Sequence, residues 1–452
     1  MGFDIEWFWG DRRPIFDAGH VKMILSFNTA PARWLLGCGL AAAVAIPVAW
    51  AHGAKRQKNG PDTVLHSFAG GPSDGSFPVA TLLADPSGNF YGTAEYGGTN
   101  DLGAVFGLAP GGTESLLYSF AGGASDGAYP GGNLIEDASG NLYGTTIEGG
   151  PGQCSEDGCG TVFEISAGGT ESVLYSFMGF VDGAGPQAGL IQDQAGNLYG
   201  TTYAGGVSSV GAINCEGGCG TVFELSPNGN GGWTEAVLYS FVSGKDGAGP
   251  LGGLVMDGAG NLYGTTSLGG GSINCTGGCG TAFELSPNGN GGWTEKVIYT
   301  FRGVGAGYNP SSTLYLSGQG DLYGTTPEGG SAKCGGGCGV VFKLVPVKGG
   351  WSQIKVRSFP AGADGAFPVG NLAADGAGDI YGTTEGAGLY SCGMAYEISG
   401  AGVETALHSF TGTPSDGCTP YGGLITGQSN QLYGTTTSGG TTNNGVVFEI
   451  SE

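Results

Sequence analysis

A six-residue word, Asn-Leu-Tyr-Gly-Thr-Thr, stands intact at residues 141–146, 197–202 and 261–266, and degenerate copies place the same tyrosine at Tyr91, Tyr323, Tyr381 and Tyr433. Seven copies, 52 to 64 residues apart, make this a repeat protein. A repeat of that length is one supersecondary unit that cannot bury its apolar surface alone. Glycine and proline, 98 and 21 of 452 residues, would point to low complexity in an aperiodic chain. Here the glycines recur in register between short runs of Leu, Val, Tyr, Phe and Thr, which reads as many tight turns between many short strands.

Four strands are predicted within one unit: A over 133–136, B over 142–146, C over 161–165 and D over 172–177. The A-B turn, Asp-x-x-Gly-Asn, supplies side-chain turn bonds and a residue tolerant of positive φ. No span carries an apolar period of 3.6 long enough for a helix, so each unit is a four-stranded antiparallel meander. Seven such sheets bury both faces by packing around a common axis. The fold class is therefore all-β, a seven-bladed β-propeller over residues 63–452. The repeats open with a lone D strand at 63–68 and end after A, B and C of the last unit. The amino-terminal strand is expected to complete the last blade and close the ring, because an open array would need capping repeats.

The signatures of WD and kelch propellers are absent. The unit PxGxLxxDxxGNLYGTTxxGGxxxxGTVFELSPxGxxxVLYSFxGxxDG instead resembles the GloVer tandem-repeat ("choice-of-anchor") family of exported bacterial proteins, with YGTT and GTVFEL as its specific words. The resemblance covers residues 63–452. It implies an exported or surface-attached protein of unassigned activity and supplies no catalytic residues.

Residues 1–51 read as an export signal, with Met23 as an alternative start. Arg33 gives positive charge, 35–48 an apolar core, and Ala49-Trp50-Ala51 a small-x-small cleavage site. The competing reading is an uncleaved anchor, for which a 17-residue apolar run is marginal. Residues 52–62 form a linker. Fifteen basic against 38 acidic residues, a net charge of −23, disfavour nucleic acid and anionic membrane as partners. A secreted, periplasmic or cell-surface monomer is expected.

Ten cysteines follow the signal. Cys154 and Cys159, Cys215 and Cys219, Cys275 and Cys279, and Cys334 and Cys338 are close pairs in B-C loops and are expected to form local disulfides. Cys392 in a B-C loop and Cys418 in the next D-A loop are expected to meet and staple blades six and seven. The alternative, zinc, would require pairs on separate blades to converge.

The D-A loops carry Asp74, Asp126, Asp182, Asp246, Asp364 and Asp416, each followed by glycine, with Ala306 breaking the series. Such a ring suits calcium. The competing and favoured reading is an Asp-Gly turn whose carboxylate bonds its own backbone. The A-B aspartates Asp85, Asp137, Asp193, Asp257 and Asp375 are read in the same way. His66 and His408 occupy the D-strand position held elsewhere by Tyr118, Tyr175, Tyr239 and Tyr299, and no Ser-His-Asp set assembles. Trp233, Trp293 and Trp351 follow Gly-Gly in C-D turns and are read as rim packing, with sugar stacking as the alternative.

Repeats disagree most at blade five. Arg302, Tyr308 and Asn309 replace the Asp-Gly loop, Tyr315 lies in strand A, and Lys343 replaces the strand-C glutamate. These five are the candidate ligand site, expected on the D-A/B-C face. No cofactor is expected. Three functions stay open: a non-enzymatic exported module binding a glycan or cell-envelope protein; a carbohydrate-active or lactonase-like enzyme on the same face; and a structural array. An enzyme needs a non-repeated acid-base pair near the axis, and the sequence offers repeated aspartates only.

Overall fold

The computed structural model describes residues 62–207, 215, 217–427 and 431–451. The export segment, most of the linker and Cys38 lie outside the described residues. The chain divides into a unit of residues 1–53 and a compact unit of residues 54–452, and every described residue belongs to the second.

Seven antiparallel sheets of A-B-C-D order make a seven-bladed propeller, over residues 83–119, 135–176, 191–240, 255–300, 315–358, 373–409 and 425–451. In blade 2 the strands are Ile135–Glu136, Leu142–Gly149, Thr161–Ile165 and Glu171–Ser176. In blade 7 the outermost strand is Asp62–Ser67, antiparallel to Val446–Ser451 with Thr63 opposite Glu449. The first and last described strands thus share a sheet. Strand A is shorter than its sequence pattern suggests, two residues in every blade, because the chain enters it from a long crossing loop. Four short segments add to the strand B extensions, among them Gly127–Pro130 and Ala366–Pro368. No helix of the described residues is long and apolar enough to cross a membrane.

The six-residue word is strand B, and each letter has a job. Asp137 accepts hydrogen bonds from the amides of Ser139 and Asn141 on one carboxylate oxygen, and from Asn141 Nδ2 and Tyr143 Oη (3.1 Å) on the other. Burial raises this carboxyl's pKa, but the amides of Asn141 and Ser139 outweigh that and hold it below the usual aspartate value. The glycine faces the aromatic ring of its own strand C. A Cβ on Gly200 would stand 2.6 Å from Phe223 Cζ and 2.9 Å from Leu190 Cδ2. This glycine makes room inside one blade. The first threonine is the link between blades, as in Thr145 Oγ1 donating to the Ala188 carbonyl at 2.9 Å. The second bonds across to the strand C threonine, Thr146 to Thr161 at 2.7 Å.

Between blades, the phenylalanine closing strand D meets the strand C aromatic of the next blade edge-on or tilted. Seven such pairs circle the ring, from Phe68–Phe106 through Phe120–Phe163 to Phe410–Phe448, with centroids 4.9–5.1 Å apart. Most of these rings are fully buried. Each pair adds about 1 kcal/mol beyond its buried area. Trp233, Trp293 and Trp351 pack edge-on against Tyr143, Tyr199 and Tyr263 of the preceding blade at 6.0–6.4 Å. They fill the seams.

Candidate functional site

Every D-A loop crosses from the outer strand of one blade to the inner strand of the next, and each crossing is fixed by the same bond. The residue before the loop proline donates its amide to the carbonyl two residues before strand C of the blade it leaves, at 2.8–3.1 Å. Five of those carbonyls belong to Cys159, Cys219, Cys279, Cys338 and Cys392. All five expected disulfides form, including Cys392 to Cys418, so the bridges stiffen the loops that catch the crossing chain.

This bond holds the donor in the left-handed region, with φ between 56 and 62° in all seven copies. Glycine occupies two of them, Gly185 and Gly249; the others are Phe77, Tyr129, Asn309, Phe367 and Thr419. Bulky residues are uncommon there. On blade 1 the result is a row of aromatics: Tyr96, from the B-C loop, meets Phe77 at 5.9 Å and Tyr129 at 5.6 Å, both edge-on.

The loop aspartates serve the loops. Asp126 accepts the amides of Ala121 (2.7 Å) and Gly127 (2.6 Å) and the Tyr118 hydroxyl (3.0 Å). Asp182 and Asp246 likewise hold a loop amide and the hydroxyl of Tyr175 or Tyr239. Asp416 accepts from Thr411, Gly417 and His408, while Asp364 lies 3.7 Å from Arg357. Amides of their own loops thus hold Asp126, Asp182, Asp246 and Asp416, whereas Asp364 faces Arg357.

Beside each Asp-Tyr pair stands a glutamate from strand D of the next blade, which sequence reasoning overlooked although a glutamate stands four residues before Tyr118, Tyr175, Tyr239, Tyr299 and His408, with Asp62 in the same place before His66. Burial first, then the neighbouring Asp126, Asp182 or Asp246, pushes Glu171, Glu235 and Glu295 up to about 7. These three glutamates thus hold their protons to higher pH than an exposed glutamate does. Departures are concerted. Where Ala306 replaces the aspartate, Gln353 replaces the glutamate, accepts from Tyr299 Oη at 2.8 Å and donates to the Ala306 carbonyl. Where Arg357 replaces the tyrosine, it ion-pairs with Glu404.

The five blade-five candidates do not assemble. Tyr308 and Asn309 gather around Glu328 on the D-A/B-C face, where burial and the Glu328 carboxylate push the Tyr308 phenol up to about 12. Arg302 is exposed on the same loop. Lys343 instead pairs with Asp321 at 2.6 Å and lies over the Tyr323 ring, beside Tyr315, at the A-B turn end. The reason is register: Lys343 lies opposite Tyr323, one position into strand B from that turn.

At the axis, the residues entering strand A bond blade to blade: Thr81 N to Asn133 Oδ1 at 2.8 Å, Thr313 N to Asn371 Oδ1 at 2.9 Å, and Gly423 N to Thr81 Oγ1 at 2.9 Å. Thr81, Asn133 and Thr313 line a cavity of about 200 Å³ whose other lining residues are Gly, Leu and Ile, so none of its side chains is ionisable.

The exposed large hydrophobic residues gather on one face. Among the described residues, eleven of the fourteen, including Met178, Phe180, Val181, Ile273, Val304 and Tyr390, lie in D-A or B-C loops; Val347, Ile354 and Val403 do not. Phe180 and Val181 stand where the next copy carries Gly244 and Lys245, a difference legible in the sequence.

The Gloeobacter/Verrucomicrobia repeat matches residues 55–215 and 214–448. No curated protein matches the chain. Among solved structures, the extracellular domain of a candidate one-component system from B. thetaiotaomicron superposes with a TM-score of 0.50 at 10% identity, covering 85% of this chain and 40% of that one. A candidate 6-phosphogluconolactonase from Bacteroides uniformis gives 0.46 at 17% identity, over 75% and 86% of the two chains. Identities this low speak to fold alone.

Proposed function

The chain belongs to the Gloeobacter/Verrucomicrobia repeat family, and from its loop geometry we propose that it is an exported, non-enzymatic binding module that engages a glycan or cell-envelope protein through the D-A/B-C face. The observation that carries this reading is the one-sided exposure of apolar residues, with Phe180 76% and Ile273 98% exposed. Contiguous apolar exposure rimmed by polar residues marks interaction surfaces. The aromatic row of Phe77, Tyr96 and Tyr129 adds rigid contact area with polar tips. The axial cavity, lined by neutral groups, offers nothing for general acid-base chemistry. Five disulfides suit an oxidising compartment.

The test is a glycan array and an immobilised-envelope binding assay on the mature chain, comparing Phe180→Asp/Val181→Asp with Val347→Asp/Ile354→Asp. Binding lost only in the first variant supports the reading. Equal binding by both, or turnover of a lactone or polysaccharide substrate, overturns it.

A further inference from the structure

One seam departs from the others in donor chemistry. Between blades 7 and 1 the seat held elsewhere by tyrosine, aspartate and glutamate contains His66, Asp74 and Glu114, one donor atom from each lying within 4.8 Å of the others. His66 Nε2 stands 3.3–3.4 Å from both Asp74 carboxylate oxygens. That is the edge length of a tetrahedron of ligands about 2 Å from a central ion. Asp74 is 7% exposed, and the amides of Ala69 (2.6 Å) and Gly75 (2.7 Å) fix its two oxygens. This is the supporting shell that orients a ligating carboxylate. The His66 ring is held edge-on against Phe68 at 4.7 Å. Glu114 Oε1 is buried and has no hydrogen-bond partner among the described residues.

The other seams serve as internal controls. In the three Tyr-Asp-Glu seams the phenol spends its hydrogen on the aspartate, 3.0 Å away in each, and presents no nitrogen lone pair. Exchanging tyrosine for histidine turns the same two-carboxylate seat into a nitrogen and two oxygens. That set suits zinc and similar first-row ions, whereas calcium takes six to eight oxygens. The seam between blades 6 and 7 also carries a histidine, His408, but there Asp416 is additionally engaged by the hydroxyl of Thr411.

We propose that His66, Asp74 and Glu114 form a binding site for a divalent transition ion of the zinc type, tying the loop that leaves the amino-terminal strand to the outer strand of blade 1. The site is independent of the loop-face reading. Loading it stabilises the native ring, because an ion that binds only the folded state raises the melting temperature.

The experiment titrates Zn²⁺ into the full exported chain by calorimetry, and Co²⁺ by its visible absorption. It compares wild type with His66→Tyr, which installs the side chain found in four other seams and so preserves the fold. Wild type is expected to bind one ion at this seam, show tetrahedral Co²⁺ bands and melt at higher temperature with Zn²⁺. His66→Tyr is expected to melt normally without metal but bind at least ~10-fold more weakly. Tyr118→His, which builds the same donor set at the seam between blades 1 and 2, is expected to gain a site. Equal binding by wild type and His66→Tyr, or no binding by wild type, overturns the proposal.

Discussion

The inner strands and the outer seams of this propeller follow different rules. Strand B repeats nearly letter for letter, whereas the outer seat is written in the sequence as Tyr-Asp-Glu, as Tyr-Ala-Gln, as Arg-Asp-Glu, as His-Asp-Glu and as His-Asp-Asp. The inner constraint is steric. A glycine under the Phe223 ring has no substitute, because any Cβ enters the space of that ring. The outer constraint is charge. Two carboxyl groups brought together can be neutralised by a shared proton, by an arginine or by removing both charges, so several residue sets satisfy one seam provided they change together.

The largest effect is expected at the inner ring. Gly200→Val should cost about 3 kcal/mol or more through overpacking against Phe223 and Leu190, read as a collapsed denaturation midpoint. A midpoint near wild type would break the steric half of the comparison. Next, replacing Cys392 and Cys418 by serine should cost about 3 kcal/mol, against about 2 for Cys275 and Cys279, since the first bridge closes 26 residues and the second four. Thermal melts of the two double mutants test that order.

Tyr239→Phe removes one donor to Asp246 and should cost about 1 kcal/mol. A larger loss would mean that the seam depends on more than charge. The electrostatic half has its own signature in pH. Glu171, Glu235 and Glu295 titrate near 4.5 when unfolded and near 7 when folded, so the native state holds the extra protons between those values. Their contribution is full below pH 4.5 and is lost as pH rises through 7. The melting temperature should therefore fall over that window. The triple Glu→Gln variant, which copies Gln353, should flatten the decline; an unchanged slope would remove the electrostatic account. The smallest change is expected from Val347→Ser on the opposite face, within ~0.5 kcal/mol of wild type.

Much of the architecture was legible in the chain. The period of Tyr91 through Tyr433 indicated the blades, the Asp-x-x-Gly-Asn words their turns, and the Cys spacings their bridges. The seam glutamates were missed because Glu171 and Asp126 belong to different repeats, and comparing repeats position by position never sets two different positions side by side. The blade-five cluster misled because positions unusual in sequence were assumed to share a face, and strand register sent Lys343 and Tyr315 to the end away from Tyr308.

The sequence by itself determined the repeat, and through it the strands, their order and their turns, because those depend on local periodicity and on residues with narrow backbone preferences. Tertiary structure alone decided which side chains meet across a seam, why the word needs its glycine, and which loops turn apolar side chains outward. Those follow from the distance and angle between packed sheets, and neither is written in any single repeat.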